Sequence, residues 1–211
     1  MATAARRGGP IRKGSVLRQP RQQRARQTVA AILDAAVRLM KRKNLGSLTT
    51  NRIAEVAGVS IGSVYQYFPD KSSIFVALHR RHVEEIDRLI AATLIEHAAS
   101  PLDTFVRAVI EAMIDAHTRD PELYELLLRE VPHRAGGAQD FSTRLHGLFR
   151  MALASRAHEF SRSRDLDTAT FIVTHMVDSL AHAAVLRRPR GLSLRAAKEE
   201  AVRAVLAYLH S

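Results

Sequence analysis

The chain of 211 residues is 46% hydrophobic, enough for a substantial core, yet no apolar run approaches the roughly 18 residues of a membrane helix. Cysteine is absent, which excludes disulfides and thiolate metal sites and fits a reducing cytoplasm, and the basic N-terminus lacks the apolar stretch and cleavage site of a secretory signal. Residues 1–80 hold 15 Lys and Arg against 3 Asp and Glu, whereas residues 81–211 hold 17 against 18. The excess positive charge is thus confined to the first 80 residues, which points that half toward a polyanion, nucleic acid first. A membrane surface would call for a basic helix with a bulky apolar face, which the most basic stretch lacks.

Residues 1–22 carry Arg6, Arg7, Arg12, Lys13, Arg18 and Arg21 with no acid among them. They bury too little to offset ordering entropy and are expected to form a disordered basic arm, either a solubilising tail or a source of extra phosphate contacts. Helical periodicity follows. Val29, Ile32, Leu33, Ala36, Leu39 and Met40 form one stripe, closed by Asn44–Gly46. Short helices are expected over Thr50–Ala57 and Ser60–Phe68, then a long one from Asp70 to about Ala98. Pro101 opens a helix with the stripe Leu102, Phe105, Val106, Val109, Ile110, Met113 and Ile114. A short helix spans Glu122–Glu130, and Gly136-Gly137 marks a loop. Phe141, Leu145, Leu148, Phe149 and Ala152 define a helix running to about Phe160. Two more cover about Asp167–Arg187 and Ser193–His210. No segment alternates as a strand does. The expected class is all-α, about nine helices: a helix-turn-helix domain over 23–70 and a larger effector-binding and dimerisation domain over 71–211.

The segment 49–71, TTNRIAEVAGVSIGSVYQYFPDK, carries the sharpest signal. Thr49 is placed to cap a short helix whose face is Ile53, Ala54 and Ala57. Gly58 stands where that helix must stop, in a left-handed conformation open cheaply to glycine. Ser60 caps the next helix, in which Val64 and Phe68 face inward. That leaves Ile61, Gly62, Ser63, Gln66 and Tyr67 outward, with Tyr65 at the edge. Such a helix fits a major groove and presents its N-terminal residues to base edges. Asp70 is placed to cap the following helix, whose free amides suit a phosphate oxygen.

Residues 24–80 resemble the DNA-binding domain of the TetR family, through Thr-Thr-x-x-Ile-Ala-x-x-Ala-Gly-Val-Ser-x-Gly-x-x-Tyr-x-Tyr-Phe followed by Lys71. The resemblance implies that Thr50, Asn51, Ile61, Gly62, Ser63 and Tyr65 touch bases or neighbouring phosphates, and that Tyr67 and Lys71 hold the backbone. It implies a homodimer through the last two helices, with apolar faces at Phe171, Ile172, Met176, Leu180 and Ala183 and at Ala197, Ala201, Val202, Val205, Leu206 and Leu209.

Several other features admit two readings. Gly58-Val59-Ser60-Ile61-Gly62 spells a hydrolase nucleophile elbow, but helix precedes it and no strand is in sight, so Ser60 reads as a cap. His175, Asp178 and His182 share a helix face and form either a polar stripe or a metal site; three ligands along one helix rarely converge, and no metal is expected. His79 and His82 read as exposed. His117 is a satisfied core histidine or the polar anchor of a ligand pocket, with Tyr124, His146, Phe149, Met151, His175 and Met176 as further candidates for that pocket. No cofactor or membrane association is expected, and nothing supports an enzyme beyond the His175 face. The expected function is a sequence-specific cytoplasmic regulator, a repressor released from pseudo-palindromic double-stranded operator DNA by a small effector. The alternative is a non-specific basic DNA-binding protein.

Overall fold

The computed structural model describes residues 19–41, 48–131, 138–160 and 165–211, and side chains for all of these but 19–21 and 138–145. Residues 1–18 of the basic arm, the helix end at Asn44–Gly46 and the Gly136-Gly137 loop lie outside the described residues, as do the side chains of Phe141 and Leu145. Among the described residues there is no strand, and nine α-helices follow one another. They are α1 (Gln19–Met40), α2 (Thr50–Ala57), α3 (Ile61–Tyr67), α4 (Lys71–Glu96), α5 (Leu102–Thr118), α6 (Pro121–Glu130), α7 (Ala138–Ala154), α8 (Leu166–Leu186) and α9 (Leu194–His210). Two compact units divide between Pro69 and Asp70.

In the first unit α2 packs on α1 and α3 on α2. Ile32, Leu33, Ala36, Leu39 and Met40 are buried on α1, meeting the predicted stripe, and Leu48, Ile53, Ala54, Val64 and Phe68 complete the core. Helix α1 begins at Gln19, inside the segment assigned to the arm. Pro20 is tolerated in a first helical turn, and the Gln, Arg and Ala that follow are good helix formers.

In the second unit α5 packs against α4, α6, α8 and α9. Every residue of its predicted stripe from Leu102 to Ile114 is buried. Asp120 caps α6 by accepting from the Leu123 amide at 3.2 Å, with Pro121 in the first turn. Helix α8 packs on α5, α7 and α9. By length and composition it is apolar enough to cross a membrane, although no uninterrupted apolar run is present. The reason is that Thr, Ser and His break the run while leaving the mean hydropathy at 1.4. Three polar pairs, Asp103–His210, Arg107–Glu199 and Asp115–Lys198, tie α5 to α9. Each pair has at least one partner open to solvent, and each contributes about 1 kcal/mol or less.

One boundary differs from the expectation that the seventh helix runs to Phe160. Helix α7 stops at Ala154 and residues 155–160 turn. The cause is Arg156, which is 3% exposed. Its Nε donates to the Ser100 carbonyl at 2.9 Å, and Nη2 donates to the His97 and Ala98 carbonyls at 2.6 and 2.8 Å. Nη1 donates to the Ala152 carbonyl at 2.7 Å and the Ser155 hydroxyl at 3.1 Å. Three of those carbonyls, of His97, Ala98 and Ser100, lie in the turn that follows α4, and that of His97 also accepts from the Ser100 amide at 3.1 Å. In the same turn Glu159 accepts from the Leu102 amide at 2.7 Å, which completes the start of α5 where Pro101 offers no side-chain cap.

Candidate nucleic-acid interface and effector site

The helix-turn-helix forms through local chemistry that the sequence spells out. Thr49 is extended and its hydroxyl accepts from the Arg52 amide at 3.2 Å. Gly58 has φ 69° and its amide reaches back to the Ala54 and Glu55 carbonyls, ending α2 in a left-handed turn. Ser60 caps α3 by accepting from the Ser63 amide at 3.1 Å. Asp70 accepts from the Ser73 amide at 2.7 Å while the Ser73 hydroxyl accepts from the Asp70 amide, a reciprocal cap for α4. Ser60 is therefore a cap, with helix on both sides of it.

Val64 and Phe68 face the core, while Ile61, Gly62, Tyr65 and Gln66 are exposed, and Ser63 and Tyr67 are half-buried. Ile61 and Tyr65 are 38% and 53% exposed, and both stand on α3. Tyr65 lies on the open face, and its hydroxyl is 3.2 Å from that of Thr50, which links α3 to the first turn of α2. The Ser63 hydroxyl is 2.8 Å from that of Ser60, so it is shared with the cap. Asn51 is exposed. Lys71 is exposed at the first position of α4, in the second unit, with its ammonium 5.8 Å from the Phe75 ring centre. Gly62 has no positive φ, and a methyl group there would meet only the Ser60 hydroxyl, at 3.8 Å. The fold therefore does not require glycine at that position.

The seven candidates for the effector pocket separate. His117 and Tyr124 are 3% exposed and lie with ring centres 4.4 Å apart. Phe149 is core, and Met176 packs partly buried against that core. His146 is half-buried on α7, whereas Met151 is 69% exposed and His175 is exposed with its ring against Phe171. His182 lies against His117 and Tyr124, so His175 and His182 turn to different neighbours. Among the described residues no group of three or more metal-ligating side chains is arranged to hold an ion. The expectation that His79 and His82 are exposed is corrected: both are half-buried, and His82 lies against the same two rings. Spacing could have found it, since Leu78, His82, Ile86, Ile90 and Leu94 recur every four residues and all but His82 are buried apolar. Arg156 carries no comparable signal.

Burial sets the protonation of this cluster. It holds His82 and His117 down at about 4, with their mutual repulsion adding to the effect on His82, and it lowers His182 as well. The folded protein therefore binds these protons more weakly than the unfolded chain, whose histidines titrate near 6.5. Stability is full above pH 6.5, falls as the pH drops toward 4, and levels below that. One histidine held at about 4 costs about 3 kcal/mol of stability by pH 4. Urea midpoints across pH 7.5 to 4 should show this loss, and a folded His117→Phe variant should show a shallower one.

A capped helix-turn-helix followed in the chain by a larger helical unit is the plan of helix-turn-helix transcriptional regulators. Residues 32–78 match the family described as "Bacterial regulatory proteins, tetR family", and residues 101–209 match "Tetracyclin repressor-like, C-terminal domain". The second match alone spans more than half the chain, and the chain belongs to the TetR family. It is similar to the HTH-type transcriptional regulator TtgR of Pseudomonas putida, 31% identical over 102 residues, covering 46% of this chain and 49% of that protein. It is also similar to the HTH-type transcriptional regulator AcrR of Shigella flexneri, 28% identical over 113 residues, covering 54% and 52%. The chain thus matches about half the length of these curated relatives. Its fold resembles that of FadR from Bacillus subtilis, solved in complex with stearoyl-CoA, with a TM-score of 0.65 at 18% identity over 86% of this chain and 99% of that one.

Proposed function

We propose that this protein is a ligand-responsive repressor of the cytoplasm that reads a pseudo-palindromic operator as a homodimer. The observation that carries the DNA-reading part is Gly62, an exposed glycine at the start of α3 that neither backbone conformation nor internal packing requires. A helix that must bring its backbone close to a groove has a use for it. Ile61, Ser63 and Tyr65 then face bases, with Thr50 and Asn51 beside them, while Tyr67 and Lys71 hold phosphates. Tyr65 is held by Thr50, which favours its reading as a positioned contact.

Of the expected α9 face, Ala201, Val202, Val205 and Leu209 are buried in the chain's own core, so dimerisation through α8 and α9 is supported by the apolar surface that the single chain leaves uncovered. Only 33% of the most apolar window of α8 is buried, Phe171 is 52% exposed, and Ala204 and Ala207 of α9 face outward, small enough for a close helix crossing. An effector in the second unit would favour a conformer whose two reading helices no longer match successive major grooves, through a difference in its affinity for the two states. That FadR of B. subtilis was solved with stearoyl-CoA supports such a ligand-binding unit.

The test is selection from random DNA, followed by binding of the selected site at several salt concentrations. Lys71→Ala should weaken all sequences alike and reduce the salt slope by about one. Ser63→Ala should change the preferred site, by roughly 1 kcal/mol or more at one position. Uniform affinity for all sequences would instead support the non-specific basic DNA-binding reading.

A further inference from the structure

The second unit contains a polar island that its apolar core does not explain. Four helices each contribute one ring: His82 from α4, His117 from α5, Tyr124 from α6 and His182 from α8. His117 and Tyr124 are paired at 4.4 Å. The His82 ring centre is 5.7 and 5.0 Å from theirs, and that of His182 is 5.2 and 5.3 Å away.

The hydrogen bonds fix what this island offers. His117 donates from Nδ1 to the Met113 carbonyl at 2.7 Å, and His182 donates from Nδ1 to the Asp178 carbonyl at 2.6 Å. A carbonyl only accepts, so in each neutral ring the proton sits on Nδ1 and Nε2 is left as an acceptor. The Nε2 of His82 is itself shut off from solvent and meets no hydrogen-bond partner among the described residues. Buried nitrogens are ordinarily paired, and one that is not calls for a water, a ligand or a functional role.

The surroundings set the charge of an occupant. His79 on α4, Asp120 before α6 and Arg187 after α8 act on the cluster from three sides, and Asp178 lies 3.4 Å from the His182 Nδ1. Burial nevertheless dominates and keeps the imidazoles neutral at pH 7. A site that refuses a proton on its own rings imposes the same desolvation cost on a charged guest. It offers acceptors, ring faces and ring edges, which suit a planar molecule carrying a hydroxyl donor.

We propose that the His82–His117–Tyr124–His182 cluster is a binding site for an uncharged hydroxylated aromatic ring, a phenol, whose hydroxyl hydrogen-bonds to His82 Nε2. This rests on the reading of the second unit as the effector-binding part. The site accepts a neutral donor and discriminates against carboxylates and ammonium ions.

The experiment uses the full chain with four probes of similar size: phenol, toluene, benzoate and benzylamine. Phenol should bind at least tenfold more tightly than toluene, with benzoate and benzylamine weaker still. The histidine side-chain 15N spectrum of the wild-type protein should show the His82 Nε2 resonance moving with phenol and not with toluene, a readout that needs no variant. A folded His82→Phe variant should lose the preference for phenol over toluene. Equal binding of phenol and toluene, tighter binding of either charged probe, no binding of any probe, or phenol binding with the His82 resonance unmoved would each overturn the proposal. Operator affinity measured alongside separates this proposal from the reading beneath it. Phenol binding at His82 with unchanged operator affinity keeps the site and overturns effector control by phenols. A compound that releases operator without moving His82 or binding the cluster overturns the site and keeps effector control.

Discussion

Arg156→Ala is expected to lower the unfolding free energy by about 2–3 kcal/mol, the range for losing charge-assisted hydrogen bonds to main-chain carbonyls. The arginine meets four main-chain carbonyls and one hydroxyl through its five N–H groups, and its guanidinium stacks on Phe105 at 4.2 Å. Truncation removes the donor to the Ala98 and Ser100 carbonyls and one of the two donors to that of His97, and it opens a void beside Phe105. Arg156→Lys should recover only part of the loss, because an ammonium has three donors and no planar fork. Urea unfolding at matched protein concentration checks both variants. A loss below about 1 kcal/mol for Arg156→Ala would show that water replaces the arginine, contrary to its burial.

Gly62→Ala is expected to separate folding from DNA binding. Its methyl group meets nothing closer than the Ser60 hydroxyl at 3.8 Å, and alanine is a better helix former, so stability should hold or rise by up to about 1 kcal/mol. Operator affinity should fall at least about tenfold, or roughly 1.4 kcal/mol, if this face of α3 approaches the groove closely. Gly58→Ala is the control with the opposite pattern. Gly58 has φ 69°, so a side chain there is strained by about 1–2 kcal/mol in the turn itself, and stability should fall. Chemical denaturation and fluorescence anisotropy on a selected operator give both quantities. Unchanged affinity in a folded Gly62→Ala protein would remove this face from the contact surface.

The helix-turn-helix was legible because each of its parts is a local event. Thr49, Ser60 and Asp70 cap amides three residues away, Gly58 turns the chain within its own span, and Val64 and Phe68 are set inward by helical spacing alone. The α5 stripe was legible for the same reason, since its period is the period of the helix. Burial on such a stripe depends little on which helix covers it.

Contacts between distant segments were not legible. The sequence shows an arginine in a Ser-Arg-Ala-His-Glu stretch that continues a helical pattern; only the packed structure lays that arginine on the end of α4, 56 to 59 positions earlier. His82, His117, Tyr124 and His182 likewise belong to four helices, and each looks ordinary on its own. The sequence by itself determined the class of fold, the capped helix-turn-helix and the family. Tertiary structure alone decided which histidines meet, which candidates stay at the surface and where the seventh helix ends. Spacing along a helix dictates which way a side chain points, but what it meets there is supplied by another segment, and that pairing exists only once the helices are packed.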